Sequence, residues 1–316
     1  MRTAFLFPGQ GSQTVGMGGS LAEAFASARA VFEEVDDALG RPLSRLMREG
    51  PEAELTLTEN AQPALMAVSL AVVRTLEAEF GVEIERAAFV AGHSLGEYSA
   101  LAAAGALSLA DAARLLKRRG QAMQAAVAPG VGAMASLIGP KVDVALAEQA
   151  AAAGAEVGVC VVANDNGAGN VVISGERAAV DRAIEAAKAL GARAIPLNVS
   201  APFHCPLMAP AAEAMAEALA GVSLNAPRTP LVANVTARPV HDPAEIARLL
   251  VQQVTGRVRW RESVEWLAAE DGGAIERFAE AGAGKVLTGM VRRAAPDAQA
   301  IALNTPAELE AFAAAG

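Results

Sequence analysis

The sequence predicts an α/β protein in which a large domain built on a parallel sheet carries a small inserted domain. Three observations predict it. First, the apolar run Ala87-Ala88-Phe89-Val90-Ala91 leads into Gly92-x-Ser94-x-Gly96, and an alanine-rich helical pattern follows. That is a strand, a tight turn and a helix, the setting of a nucleophile elbow. Second, residues 132–197 read strand, helix, strand, strand, helix, strand, with Asn166-Gly167 as a turn signal. Third, the chain has 316 residues, 53% of them hydrophobic and only 4% aromatic. That length suits two domains, and alanine in such quantity suits helices that pack closely. The elbow makes the large domain hydrolase-like, and the strand order makes the small one ferredoxin-like. The expected bounds are 1–129 and 200–316 for the large domain and 130–199 for the small one.

The elements follow in order. Residues 3–7 form a short buried strand that stops at Pro8-Gly9. Gly9, Gly11, Gly16, Gly18 and Gly19 make a glycine-rich loop. It is no P-loop, because no Gly-Lys-Ser/Thr follows. Helical patterns cover 21–39 and 62–80. Strand 87–91, the elbow, helix 97–104 and helix 109–126 come next, ending near Pro129-Gly130. In the small domain, strands are expected at 132–138, 157–164, 170–174 and 194–197, with helices at 142–153 and 176–190. The large domain resumes after Pro202 with helix 210–220 and strand 231–234. A helix starts at Pro243 with Asp242 as its cap. Strand 274–279 leads to the turn Gly282-x-Gly284-Lys285, and a helix runs from there to about 293.

The net charge is −9, which opposes nonspecific binding to nucleic acid. It also means that any site for an anion must be local. The N-terminal apolar stretch is short and broken by Pro8-Gly9, so it is no signal peptide. No apolar run approaches the ~18 residues of a membrane span. Cys160 and Cys205 have no metal or redox spacing and fit a reducing compartment. The chain is expected to be cytoplasmic, without membrane or nucleic-acid partners and without a metal.

A serine hydroxyl needs a base to act as a nucleophile at neutral pH. Ser94, presented at a helix N-terminus, has three histidines to choose from. His93 adjoins it and should point away, packing behind the elbow. His241 sits at a polar helix start and reads as a surface or capping residue. His204 lies in the proline-bracketed segment Ala201-Pro202-Phe203-His204-Cys205-Pro206, where the chain re-enters the large domain. By elimination His204 is the base. A local anion site would need a cation, and Lys117-Arg118-Arg119 offers three basic residues in a row.

Four motifs occur in order: Phe7-Pro8-Gly9-Gln10-Gly11-Ser12-Gln13, Gly92-His93-Ser94-Leu95-Gly96-Glu97, Ala201-Pro202-Phe203-His204 and Gly282-Ala283-Gly284-Lys285-Val286-Leu287. Together they resemble the malonyl-CoA:acyl carrier protein transacylase family of type II fatty-acid synthesis, to which the acyltransferase domains of polyketide synthases are close. The resemblance spans nearly the whole chain. It implies Ser94 as the acyl nucleophile and His204 as its base. It implies that backbone carbonyls, with that of Gln253 first, orient the histidine in place of an acid. The backbone N–H groups of Gln10 and Leu95 are implied as oxyanion donors. Arg119, just before Gly120, matches the arginine that binds the substrate carboxylate. The implied substrate is malonyl-CoA, the partner is acyl carrier protein and no cofactor is used; the protein is expected to be a monomer. Ala283 departs from the family's more usual proline, which affects loop stiffness. Phe203 fits the malonyl-type pattern, because an aromatic ring there crowds an α-methyl branch.

Two rival functions share these features. A thioesterase would use the same serine with water. A non-catalytic carrier-binding subunit would have no use for the serine, its base and the oxyanion donors. Acyl carrier proteins are acidic and so is this chain, so docking calls for a local basic patch. Arg257, Arg259, Arg261, Lys188 and Arg193 are the candidates.

Overall fold

A computed structural model describes residues 1–167 and 169–315. Ala168 and Gly316, which fall inside the expected domain ranges, lie outside the described residues. Among the described residues the ten strands are β1 (Thr3–Phe7), β2 (Phe89–Gly92), β3 (Gly132–Ile138), β4 (Cys160–Asp165), β5 (Asn170–Glu176), β6 (Arg193–Pro196), β7 (Leu231–Ala233), β8 (Arg238–Val240), β9 (Arg277–Ala281) and β10 (Gln299–Leu303). They form two sheets. The large one has the order β10-β9-β1-β2-β7-β8, parallel except for the edge strand β8. The α/β class and the parallel sheet are as the sequence predicts.

Helices cover both faces of this sheet, so its central strands are apolar throughout. The period-2 alternation still sorts them. Phe5 and Phe7 of β1, Val90 of β2 and Leu231 of β7 enter one core with the long helix Thr58–Phe80. Ala4, Leu6, Ala91, Val232 and Phe278 face the other way, onto Trp260–Ala268 and Val286–Ala294. Helix Thr58–Phe80 is buried over most of its length, and its many alanines let the helices Ala26–Leu39 and Leu109–Ala125 pack against it.

The smaller sheet has the order β4-β5-β3-β6 and is antiparallel throughout. With helices Val144–Ala155 and Arg177–Ala189 between its strands, this is the ferredoxin-like arrangement. It has its own core, built from Leu137, Val162, Ile173 and facing alanines. Its β4 meets the large domain directly. Asp165 N–H donates to the Val258 carbonyl, and Val258 N–H donates to the Ala163 carbonyl, each at 2.9 Å.

Some elements differ from those expected. The predicted helix 21–39 is two helices, Gly19–Ala24 and Ala26–Leu39. Phe25 between them is extended, and its ring meets Phe80 edge-on at 5.9 Å. A tertiary aromatic contact overrides the local period there. Helices Leu43–Glu49, Glu52–Thr56, Trp260–Ala268 and Pro306–Ala314 and the edge strand β10 go beyond those the periodicity predicts. The last helix carries a capping box, Thr305 with Glu308, which is a readable start signal. Among the described residues no helix is long and apolar enough to cross a membrane.

The order of the large sheet decides where a site can form. In open α/β sheets ligands bind beyond the carboxyl ends of the strands. There, β1 leads to Pro8-Gly9-Gln10, β2 to the Ser94 turn, β7 to Asn234 and β9 to the Gly282 turn. These turns pack on one another. A Cβ on Gly9 would stand 2.7 Å from the His93 carbonyl oxygen, and one on Gly282 would stand 2.8 Å from Pro8 Cγ.

Candidate active site

The turn after β2 doubles back on itself. A Cβ on Gly92 would lie 1.9 Å from the Gly96 carbonyl, and one on Gly96 would lie 2.2 Å from the Phe7 oxygen. Both glycines of Gly92-x-Ser94-x-Gly96 are therefore steric requirements of this turn. Ser94 between them has φ 54°, in the left-handed region that non-glycine residues rarely occupy. Such a conformation persists only where the surroundings hold it, and it points to function. The bond that holds it is visible. Ser94 N–H donates to Asn234 Oδ1 at 2.7 Å, and Asn234 Nδ2 donates to the Gly92 carbonyl at 2.7 Å.

His204 also has a left-handed backbone, φ 57°, and is 3% exposed. Its Nε2 lies 2.8 Å from Ser94 Oγ. Its Nδ1 lies 2.9 Å from the Gln253 carbonyl and 3.2 Å from that of Gly256. Carbonyls only accept, so this network assigns the proton to Nδ1 and leaves Nε2 to accept from the serine hydroxyl. Burial pushes the imidazole down to about 3, helped by the positive charge of Arg119 and opposed by the two carbonyls. His204 is thus neutral in the free protein at ordinary pH.

Arg119 is 1% exposed, so it is not on a solvated helix face. Its neighbours are elsewhere: Arg118 is exposed, and Lys117 is paired with Glu59 at 2.5 Å. Arg119 Nη2 donates to Ser94 Oγ at 3.2 Å and to Gln253 Oε1 at 2.8 Å, while Nη1 donates to Gln62 Oε1 at 2.8 Å. Among the described residues its buried Nε has no partner. A guanidinium in this position has a donor left over for an incoming carboxylate. The Tyr98 ring lies 5.8 Å from the guanidinium carbon, and burial keeps its phenol protonated, up to about 12.

Gln10, Leu95, Arg119, Ser94 and His204 all line one cavity of about 280 Å³ between the two sheets. Asn164 and Asn166 of the small domain and Phe203 complete its polar and apolar walls. Among the described residues, the backbone N–H groups of Gln10 and Leu95 donate to no protein acceptor. The structure therefore brings together all six residues singled out from the sequence: Ser94, His204, Gln10, Leu95, Arg119 and Gln253.

His93 does turn from the serine, but toward the small domain. Its Nε2 lies 2.9 Å from Asn166 Oδ1, and its ring centroid lies 5.4 Å from that of Trp260. His241 is exposed. Both cysteines are buried, and burial pushes the Cys160 thiol up to about 12. The proposed basic docking patch fares worse. Arg257 pairs with Glu148, Arg259 with Glu262, Arg261 with Asp165 and Glu265, and Lys188 with Glu185. Four of the five candidates are thus ion-paired with neighbours that the linear sequence keeps apart or does not orient.

The sequence reading missed the support behind the site. Glu97 is 1% exposed, and its Oε2 accepts from Gln253 Nε2 at 2.7 Å and from Asn234 N–H at 3.2 Å. Gln253 Nε2 also donates to the Ser94 carbonyl at 3.0 Å. Gln253 therefore contacts the site with its side chain as well as its backbone. A signal existed: Glu97 is the single Asp, Glu, Lys or Arg between Arg86 and Asp111. A lone charge in an apolar helix marks a buried polar role.

Burial raises the Glu97 carboxyl to about 7, against its hydrogen bonds from Gln253 and Asn234 and the charge of Arg119. A raised carboxyl favours the protonated folded state. Its stabilising contribution is full below about 4.5 and is lost as pH rises through about 7. His204, held at about 3, gives the opposite slope between 3 and 6.5. Comparing wild type with Glu97→Gln cancels the histidine. The wild type will lose stability relative to the variant as pH rises from 5 to 8, measured by denaturant unfolding at each pH. A flat difference would place the carboxyl in its ordinary range, and a rising one would place it below that range.

The family described as "Acyl transferase domain" matches residues 4–305. The malonyl CoA-acyl carrier protein transacylase of Escherichia coli K12 is 45% identical over 309 residues, covering 98% of this chain and 97% of the relative. The crystal structure of the acyl-carrier-protein-S-malonyltransferase from Bartonella henselae superposes with a TM-score of 0.96 at 56% identity, over 100% of this chain and 99% of that one. A malonyl-transacylase solved in complex with its type II PKS acyl-carrier protein superposes with a TM-score of 0.95 at 41% identity, over 100% of both chains.

Proposed function

The chain belongs to the acyl transferase domain family, and on that premise we propose that it carries malonyl from malonyl-CoA to the phosphopantetheine thiol of acyl carrier protein. It is an S-malonyltransferase, and its product is the extender unit for fatty-acid synthesis. The observation that carries this reading is the Ser94–His204 pair at 2.8 Å with a buried arginine 3.2 Å from the same hydroxyl.

The residues divide the work. Ser94 Oγ attacks the thioester carbonyl carbon while His204 Nε2 takes its proton. The carbonyl oxygen becomes an oxyanion, received by the backbone N–H groups of Gln10 and Leu95. Each such donor contributes roughly 3 kcal/mol to the transition state. The intermediate collapses, the carbon–sulfur bond breaks, and CoA leaves with the proton from His204. Malonyl-Ser94 remains. The carrier thiol then gives its proton to His204, its sulfur attacks the ester carbonyl, and Ser94 Oγ leaves and regains the proton. Electrons and protons balance with no metal and no redox cofactor.

Arg119 holds the malonyl carboxylate as a charged fork. This also bears on the base. Arg119's charge is one reason His204 sits so low, and a bound carboxylate offsets that charge. Malonyl-CoA therefore makes His204 a stronger base than acetyl-CoA does. Gln253 orients His204 through its carbonyl. We assign these parts to a large domain, 1–129 and 200–316, and a small one, 130–199, with the cavity between them. The site is complete within one chain, so the chemistry calls for no residue from a second copy. Two free buried cysteines fit a reducing cytoplasm.

The test is a chase. The purified protein is loaded with malonyl-CoA, freed of excess, and split between buffer and holo-acyl carrier protein, with intact mass read over time. The malonyl adduct will persist in buffer and pass to the carrier. Faster loss to water than to the thiol would make the protein a hydrolase instead.

A further inference from the structure

Three side chains that line the cavity, Arg119, Gln62 and Gln10, are joined through Thr58 behind it into one hydrogen-bonded chain whose direction is fixed by a single charge. Arg119 can only donate, so Gln62 must present its carbonyl oxygen to Nη1, at 2.8 Å. That turns the Gln62 amide nitrogen toward Thr58 Oγ1, at 2.8 Å. An amide nitrogen only donates, so the Thr58 hydroxyl accepts there and spends its own proton on Gln10 Oε1, at 2.8 Å. The Gln10 side chain is thereby pinned, and with it the residue whose backbone N–H serves as an oxyanion donor in the mechanism above.

The frame around this chain is stiff. Thr58 and Gln62 stand four apart at the start of the helix Thr58–Phe80, so they share one face. They are 0% and 1% exposed. The helix Leu109–Ala125 presses against that start: a Cβ on Gly120 would lie 2.4 Å from Glu59 Cα and 2.7 Å from the Thr58 carbonyl oxygen. Lys117 and Glu59 bridge the same junction at 2.5 Å. Arg119, which precedes Gly120, is therefore held at a fixed distance from Thr58. In a low-dielectric interior, hydrogen bonds in such a series polarise one another.

We propose that Thr58 is a positioning residue that couples the carboxylate-binding guanidinium of Arg119, through Gln62, to the placement of Gln10 at the oxyanion. It does not line the cavity and touches no reacting atom. The proposal rests on the malonyl-transfer reading and deepens it. A bound carboxylate draws on the Arg119 donors, the change is felt along Gln62 and Thr58, and Gln10 is seated best when the acyl group carries that carboxylate. Selectivity for malonyl is then expressed in the chemical step as well as in binding.

The test uses the whole protein and two substrates. Thr58→Val keeps the shape and removes the hydroxyl, and Thr58→Ser keeps the hydroxyl. Single-turnover loading of Ser94 is followed by intact mass with malonyl-CoA and with acetyl-CoA. Thr58→Val will slow malonyl loading about tenfold, with the half-saturating malonyl-CoA concentration changed by less than about twofold. Acetyl loading will slow less than about threefold, and Thr58→Ser will restore malonyl loading to near wild type. Equal losses on both substrates, or a loss confined to half-saturation, would overturn the coupling. Thr58→Ala makes the same comparison should valine not be accommodated. A wild type that takes no malonyl on Ser94 would instead defeat the transfer reading itself, so the two failures are distinct.

Discussion

Ser94→Ala will abolish the stable malonyl adduct and lower transfer to the carrier roughly ten-thousand-fold or more, because the covalent route is gone. The geometry makes this a clean experiment. The bonds that hold the turn run through the backbone: Ser94 N–H to Asn234 Oδ1 and the Ser94 carbonyl to Gln253 Nε2, at 2.7 and 3.0 Å. Alanine keeps both. The hydroxyl's contacts with His204 and Arg119 are the ones removed. The variant should therefore fold with near-native stability, and thermal unfolding alongside the transfer assay checks that. A fully labelled Ser94→Ala protein would place the nucleophile elsewhere.

Arg119→Ala will reverse the acyl preference. The malonyl carboxylate would enter a buried site with no cation to meet it, at a cost on the order of 3 kcal/mol, or more than a hundredfold in kcat/KM. Acetyl-CoA has no carboxylate to strand and loses far less, so the ratio of malonyl to acetyl transfer collapses. A second consequence reaches the base. Burial is the first cause of the low His204 value of about 3, and the Arg119 charge is the second. Removing that charge will move His204 upward, and the acid limb of the acetyl-transfer pH profile will move with it. Equal losses on malonyl and acetyl, with an unmoved acid limb, would make Arg119 a structural residue.

Local pattern carried much of this site. The Gly92-x-Ser94-x-Gly96 turn is legible because its steric demands fall on residues close in sequence: a Cβ on Gly92 would lie 1.9 Å from the Gly96 carbonyl. The histidine beside Ser94 was legible by counting, since a chain with three histidines leaves few choices. The βαββαβ order of the small domain was legible because antiparallel strands and their helices alternate on a short period. The helix break at Phe25 was not, because the cause is Phe80, far along the chain.

By itself the sequence determined the α/β class, the elbow serine, the histidine and, through the order of its motifs, the family. Only the tertiary structure decided what those residues rest on. Asn234, Gln253 and Gln62 reach Ser94 and Arg119 from strands and helices remote in sequence, and no local period encodes such a meeting. Only the fold decided that Arg119 is buried while Arg118 is exposed. Only the fold showed Arg257, Arg261 and Lys188 to be paired rather than free. Hydrogen bonds and charges depend on distances of a few ångströms and on exclusion of water. Those are fixed when the sheets and helices pack, not when the residues are ordered along the chain.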